Sequence, residues 1–205
     1  MLKRICVSLL MTCWAPASSA QAPFLATKSA APTVIVAGDS ITYAGKRARL
    51  NSSLNDWRSV LGSNPRHHAE LPNIYVWDDL GIQLVTASTK PYGVKQIKIY
   101  LNLKPRDPAE DLFTKNPDGT PATKLPTPHP HKPFTGYLEL DGFGIDAQSQ
   151  FWEIRARADR ARNLDCGLRD CSHPHGAFGP KGGVYLRLDR NDEFGRVYEF
   201  SVAVR

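Results

Sequence analysis

Residues 96–103, "QIKIYLNL", alternate polar and apolar without a break. Ile97, Ile99, Leu101 and Leu103 fall on one side; Gln96, Lys98, Tyr100 and Asn102 fall on the other. A period of two predicts an antiparallel strand with one face on a core and one face wet. Shorter apolar runs predict more strands. "VIVA" leads into Gly38-Asp39, a two-residue turn, and "SITY" returns antiparallel. "NIYVWDDLGIQLVTA" predicts one strand with a bend at Asp78-Asp79, continuing through Ile82 and Leu84. "FTGYLELDGFGI" predicts a strand and an Asp141-Gly142 turn. "GVYLRLDRNDEFGRVYEFSVAV" predicts a hairpin, with Leu186 and Leu188 facing inward opposite Phe200, Val202 and Val204.

Two segments change period. In "LNSSLNDWRSVLG", Leu54, Trp57 and Leu61 share one helical face. Ser53 and Asp56 form a capping-box pattern, Gly62 stops the helix, and Pro65 prevents its restart. In "QSQFWEIRARADRARNL", Phe151, Ile154, Ala158 and Ala161 share a face, and Glu153 stands four residues before Arg157, a favourable spacing. Between the two halves, residues 104–133 hold eight of the sixteen prolines, so no regular element fits there.

These elements predict an α+β fold of two hairpin–helix–hairpin units, each an antiparallel sheet covered by one helix. The first unit spans 33–103, the connection 104–133 and the second unit 134–205. The second half repeats the first in element order, with Trp57 and Trp152 at similar places in the two helices.

The N-terminus carries an address. Met1-Leu2-Lys3-Arg4, an apolar run from Ile5 to Ala15 and then "PASSA" have the layout of a signal peptide, residues 1–20. Ser18 and Ala20 fit the cleavage positions, which places the cut between Ala20 and Gln21; residues 21–32 then form a flexible leader. Cys13, closing "LMTC", offers lipidation as a second processing route, which Thr12 before it disfavours. No stretch reaches the ~20 apolar residues of a transmembrane helix. The expected location is therefore the periplasm or the medium.

Composition adds less. Hydrophobic residues at 41% suffice for a core. The formal charge is +6, and the signal peptide takes Lys3 and Arg4 with it, so the basic excess permits an acidic partner without demanding one. No nucleic-acid motif is present. Cys166 and Cys171 are the two cysteines left after cleavage, and in an oxidising compartment they are expected to form a disulfide that pins a small loop.

Trp57, Leu61, Gly62, Pro65, Arg66, Tyr75, Trp77, Asp78, Asp79, Leu80, Gly81 and Ile82 carry a resemblance. Together they resemble the marks of an uncharacterised family of bacterial proteins: a helix ending Trp-x-x-x-Leu-Gly, then Pro-Arg, then Tyr-x-Trp-Asp-Asp-Leu-Gly-Ile. The resemblance covers roughly residues 34–145 and implies no activity. At the level of element order the chain is also similar to the β-lactamase-inhibitor protein and to the small lipoprotein of outer-membrane assembly, which bind other proteins. That likeness is analogy.

Two chemistries compete with binding. Gly38-Asp39-Ser40 matches the nucleophile motif of a class of esterases, and Asp170 and His173 stand in an Asp-x-x-His arrangement. That class also takes an oxyanion donor from Asn in Gly-x-Asn-Asp, which does not occur between Ser40 and His173, and it needs a parallel α/β sheet. The paired histidines His67-His68, His129/His131 and His173/His175 could join Cys166 and Cys171 around zinc or copper, but exported cysteines oxidise. Asp78-Asp79 read as a capped bend, Trp57, Trp77 and Tyr75 as packing, and Arg155, Arg157, Arg160 and Arg162 as a solvated face. The expectation is an exported, non-enzymatic protein that binds another protein, inhibitor-like or immunity-like. No catalytic, cofactor-binding or metal residue is assigned, and the only site assigned is the Cys166–Cys171 disulfide.

Overall fold

The computed structural model describes residues 33–37, 40–67, 69–103, 129–140, 143–161, 165–166, 171–172, 183–190 and 192–204; of Phe143, residues 157–161 and the two cysteine segments only the backbone is described. The expected signal peptide and leader, residues 38–39 and 141–142 where turns were expected, and most of the expected connection lie outside the described residues.

The first strands come from the expected hairpins. β1 (Thr33–Ala37) pairs antiparallel with β2 (Ser40–Tyr43), and Ala37 lies opposite Ser40, which leaves two residues for the turn. Ala44 and Gly45, both at positive φ, then turn β2 into β3 (Lys46–Arg49), a strand the alternation did not reveal. α1 (Leu54–Leu61) carries the predicted capping box: Asp56 N–H donates to Ser53 Oγ, and Ser53 N–H donates to Asp56. Gly62 ends the helix at φ 107°.

β4 (Arg66–His67), β5 (Ile74–Trp77), β6 (Ile82–Thr86) and β7 (Val94–Tyr100) follow as a meander. Here one expectation is corrected. Asp78-Asp79 do not bend a continuing strand; the chain reverses there, and β5 pairs antiparallel with β6, Trp77 opposite Ile82. Gly81 at φ 66° and the Leu80 N–H to Trp77 C=O bond close the turn. After the connection come β8 (Tyr137–Leu140), β9 (Phe143–Ile145), α2 (Phe151–Ala161), β10 (Asp165–Cys166), β11 (Cys171–Ser172), β12 (Gly183–Leu188) and β13 (Val197–Ala203).

The fold is α+β, mostly strand. Its layout differs from two separate units, because each sheet takes strands from both sides of the connection. One sheet runs β3-β2-β1-β8-β9; the other runs β10-β11-β12-β13-β7-β6-β5-β4. Nor are the halves rigid copies. β1 and β8 are parallel neighbours with Val34, Val36, Leu138 and Leu140 buried on one face. Carrying β1 onto β8 therefore preserves direction and face, whereas carrying β7 onto its equivalent β13 reverses direction. No single rigid operation does both. Recurrence of element order does not fix how elements pair.

One core joins the sheets and helices. Trp57, Ile82, Leu84, Ile97, Ile99, Leu138, Ile145, Phe151, Ile154, Leu186, Phe200 and Val202 all belong to it. Both predicted helical faces point into it, through Trp57 and Leu61 and through Phe151 and Ile154.

Candidate functional site

Three surface features stand out, and each is built from the ends or outer faces of these elements. The first lies where α2 meets the turn between β12 and β13. Phe151 N–H donates to Gly195 C=O (2.9 Å) and Trp152 N–H to Glu193 C=O (3.0 Å), so the turn caps the helix. Asp192 accepts from Phe194 N–H, and Arg190 donates to Phe194 C=O. Phe151 goes into the core, which leaves its neighbour Trp152 pointing outward, 43% exposed. Phe194 at the turn tip is 61% exposed. Trp152 Nε1 donates to Gln150 Oε1 (2.7 Å), and Arg155 pairs with Glu193 (3.2 Å). Two large aromatics are thus exposed where α2 meets this turn, on backbone held by hydrogen bonds. Glu153 accepts from Gln150 N–H at the start of the helix.

The second feature explains the Trp-Asp-Asp-Leu-Gly-Ile run. Arg66 on β4 donates twice to Asp78, Nε to Oδ2 at 2.7 Å and a terminal nitrogen to Oδ1 at 2.9 Å. Asp78 also accepts His131 N–H (3.0 Å), Arg66 reaches His129 C=O (2.8 Å), and Lys132 donates to Asp79 (2.7 Å). Trp77 Nε1 donates to Gly62 C=O (2.9 Å), tying the helix end to the same corner. The motif therefore clasps residues 129–134 against the eight-stranded sheet.

The Arg66 hydrogen bonds hold the Asp78 carboxyl below its ordinary range; partial burial opposes them, and the Arg66 charge and His131 N–H add to them. A carboxyl lowered in the folded state stabilises it above the ordinary carboxylate range, and that contribution is lost as pH falls through the lowered value. We expect the urea midpoint to drop between about pH 5 and pH 2, and Asp78→Asn to remove part of that slope while lowering the neutral-pH midpoint. Parallel pH profiles for the two proteins would expose the idea as wrong.

The third feature is the outer face of the eight-stranded sheet. β7 was expected to leave this face wet, and it does so only in part: Gln96 and Lys98 are half-buried and Tyr100 is buried. Tyr100 is 2% exposed, Gln83 2%, Glu199 3% and Ser201 3%. Tyr100 donates to Gln83 Oε1 (2.8 Å), and the His129 ring stands edge-on to the Tyr100 ring at 5.3 Å. Burial raises the Tyr100 phenol well above its ordinary pKa, and the Glu199 charge raises it further. Lys98 Nζ stands 3.6 Å from Glu199 Oε1. Gln96, Lys98, Tyr185, Leu186, Arg187, Glu199 and Ser201 line a concavity of about 210 Å³ here. The one signal in the sequence was Glu199 and Ser201 interleaved with Phe200 and Val202.

The residues singled out by sequence disperse. Ser40 is 7% exposed, and its Oγ accepts a hydrogen bond from Arg47 Nε, a partner that cannot act as a general base. It opens the returning strand β2, as expected from the sequence, with its side chain buried. Asp170 and His173, the other two esterase candidates, lie outside the described residues, as do His68 and His175. His67 stacks on Tyr75, with ring centroids 4.7 Å apart, and His131 lies beside Asp78. No group of three or more His, Cys, Asp or Glu among the described residues could hold a metal. Cys166 and Cys171 face each other in the register of β10 and β11; their side chains lie outside the described residues. Trp57 and Trp77 are buried, and Tyr75 packs against the core. Arg155 is half exposed, as a solvated helix face requires, while the side chains of Arg157, Arg160 and Arg162 lie outside the described residues.

Residues 33–155 match the family described as Domain of unknown function (DUF7738), and the chain belongs to that family, an uncharacterised one. No curated protein and no solved structure matches the chain. The likeness to small envelope inhibitors and assembly lipoproteins stays an analogy. No described helix is long and apolar enough to cross a membrane.

Proposed function

We propose that the protein is an exported, non-enzymatic binding protein that acts on another protein of the envelope, inhibitor-like or immunity-like, after cleavage at Gln21 and closure of a Cys166–Cys171 disulfide. The observation that carries this reading is the outward pair Trp152 and Phe194, both large and both held by backbone hydrogen bonds. Rigid, exposed aromatics bind with little loss of conformational freedom and dominate the energy of many interfaces. The basic N-terminal residues Lys3 and Arg4 with the apolar run after them support export, and the facing register of Cys166 and Cys171 supports their pairing.

A photoreactive phenylalanine analogue placed at position 194 tests the reading in the producing cell. It should cross-link one discrete protein. The product should vanish with Trp152→Ala and should not form from the same analogue at Glu70, an exposed site elsewhere. A cross-link indifferent to Trp152→Ala, or none at all, rejects this surface as the interface.

A further inference from the structure

We propose that the concavity across β12, β13 and β7 binds a small organic carboxylate with a planar body. Three neighbouring strands build it. In register, Tyr185 lies opposite Ser201 and Ser201 opposite Lys98; one pair along, Arg187 lies opposite Glu199 and Glu199 opposite Tyr100. All these side chains leave the same face of the sheet, because Leu186, Phe200, Ile97 and Ile99 between them point into the core.

The charges do not balance. Among the described residues, Lys98 and Arg187 bring two positive charges to a recess lined by one carboxylate, Glu199. Glu199 is nearly fully buried at its floor, 3% exposed. At 3.6 Å the Lys98 ammonium attracts Glu199 without making a hydrogen bond to it. The Arg187 guanidinium carries a fixed positive charge and stands near Tyr198 and Glu199. A recess with a surplus positive charge and partly buried walls draws a small anion more strongly than open surface does.

The aromatic wall selects what the anion is attached to. Tyr185 is 41% exposed although it stands on a paired strand. It lies two strands from Lys98, about 10 Å away at backbone level. That distance suits a carboxylate held at Lys98 and Arg187 with its planar remainder against the Tyr185 ring. The Gln96 amide and Ser201 hydroxyl offer further polar contacts. The site rests on three paired strands at the middle of the sheet, with a break in register beside Arg187, and this backbone fixes its geometry without a ligand. Only Gln96 and Lys98 lie within the family match; Tyr185, Arg187, Glu199 and Ser201 lie beyond it.

The test is an amide NMR titration of residues 21–205 with benzoate, acetate and benzamide, each to about 20 mM. Benzoate should give saturable shifts at Lys98, Tyr185 and Ser201. Acetate lacks the planar body and benzamide lacks the charge, so each should bind roughly tenfold more weakly or worse. Lys98→Gln and Arg187→Gln should each weaken benzoate about tenfold, and Tyr185→Ala should bring it down to the level of acetate. Glu199→Gln should strengthen it, because the opposing charge is removed while the shape is kept. The Lys98, Arg187 and Tyr185 variants keep the core intact; if Glu199→Gln does not fold, they decide alone. Shifts that never saturate, acetate binding equal to benzoate, or affinity unchanged in Lys98→Gln and Arg187→Gln would overturn the proposal.

Discussion

A fragment that stops at residue 155, where the family match ends, will not fold. The chain from Gln21 to Arg205 will melt cooperatively, whereas residues 33–155 will give a collapsed or aggregating species without dispersed amide signals. The reason lies in the eight-stranded sheet. β13 pairs with β7 over five consecutive residues, Glu199 to Ala203, in the middle of the strand order. Cutting the chain at 155 leaves one edge of β7 unpaired along Gln96 to Tyr100, an exposed template for aggregation. It also removes Val184, Leu186, Val197, Phe200 and Val202, each 0–1% exposed in the core. Each such side chain is worth about 1.5–3 kcal/mol when fully buried. Five of them rival the entire net stability of about 5–15 kcal/mol of a typical domain. Circular dichroism, amide spectra and sedimentation of the two chains decide the matter. A sharp melt and dispersed spectrum from the 33–155 fragment would show that β12 and β13 are an addition to a self-sufficient domain.

This dependence also shows which parts of the fold were legible in the sequence. Local chemistry was readable. Ser53 with Asp56 announced the start of α1 and Gly62 its end, because capping satisfies backbone groups within a few residues. The hairpins β1–β2, β8–β9 and β12–β13 were readable from alternation and turn residues. What alternation cannot carry is the identity of a strand's distant neighbour. β1 lies beside β8, and β7 beside β13, across about a hundred residues of sequence in each case. Strands β3, β4, β10 and β11 escaped for another reason. They are two to four residues long and carry polar residues such as "KRAR" and "RH", so they hold no hydrophobic period. The polar face of β7 misled because a strand's second face is wet only if nothing covers it. Tyr100 is covered in part by the ring of His129, which the clasp at Asp78 brings in from the far end of the connection. The aromatic pair was half visible: Trp152 was noticed as a counterpart of Trp57, yet Trp57 is buried and Trp152 points outward.

Replacing Gly81 with alanine should destabilise the protein far more than the same change at Gly45. Both glycines sit at positive φ, 66° and 80°, so both substitutions strain the backbone by about 1–2 kcal/mol. Only Gly81 adds a collision. A Cβ there would lie 2.2 Å from Phe134 N, 2.7 Å from Pro133 C and 2.8 Å from Phe134 Cα, whereas a Cβ at Gly45 would meet nothing within 4 Å. Phe134 cannot step aside cheaply. Its N–H donates to Tyr100 C=O at 2.6 Å, Tyr100 N–H donates to Gly81 C=O at 2.9 Å, and the Phe134 ring is 4% exposed in the core. Moving residues 133–134 also pulls on His131 and Lys132, which Asp78 and Asp79 hold. Forcing a methyl into such packing costs about 1–3 kcal/mol beyond the backbone strain. Urea denaturation of wild type, Gly81→Ala and Gly45→Ala separates the two contributions, because the difference between the variants isolates the collision. The loss at Gly81 should be roughly twice that at Gly45 or more. Equal losses would mean that residues 133–134 yield freely, and that Asp78 and Asp79 do not clasp the returning chain.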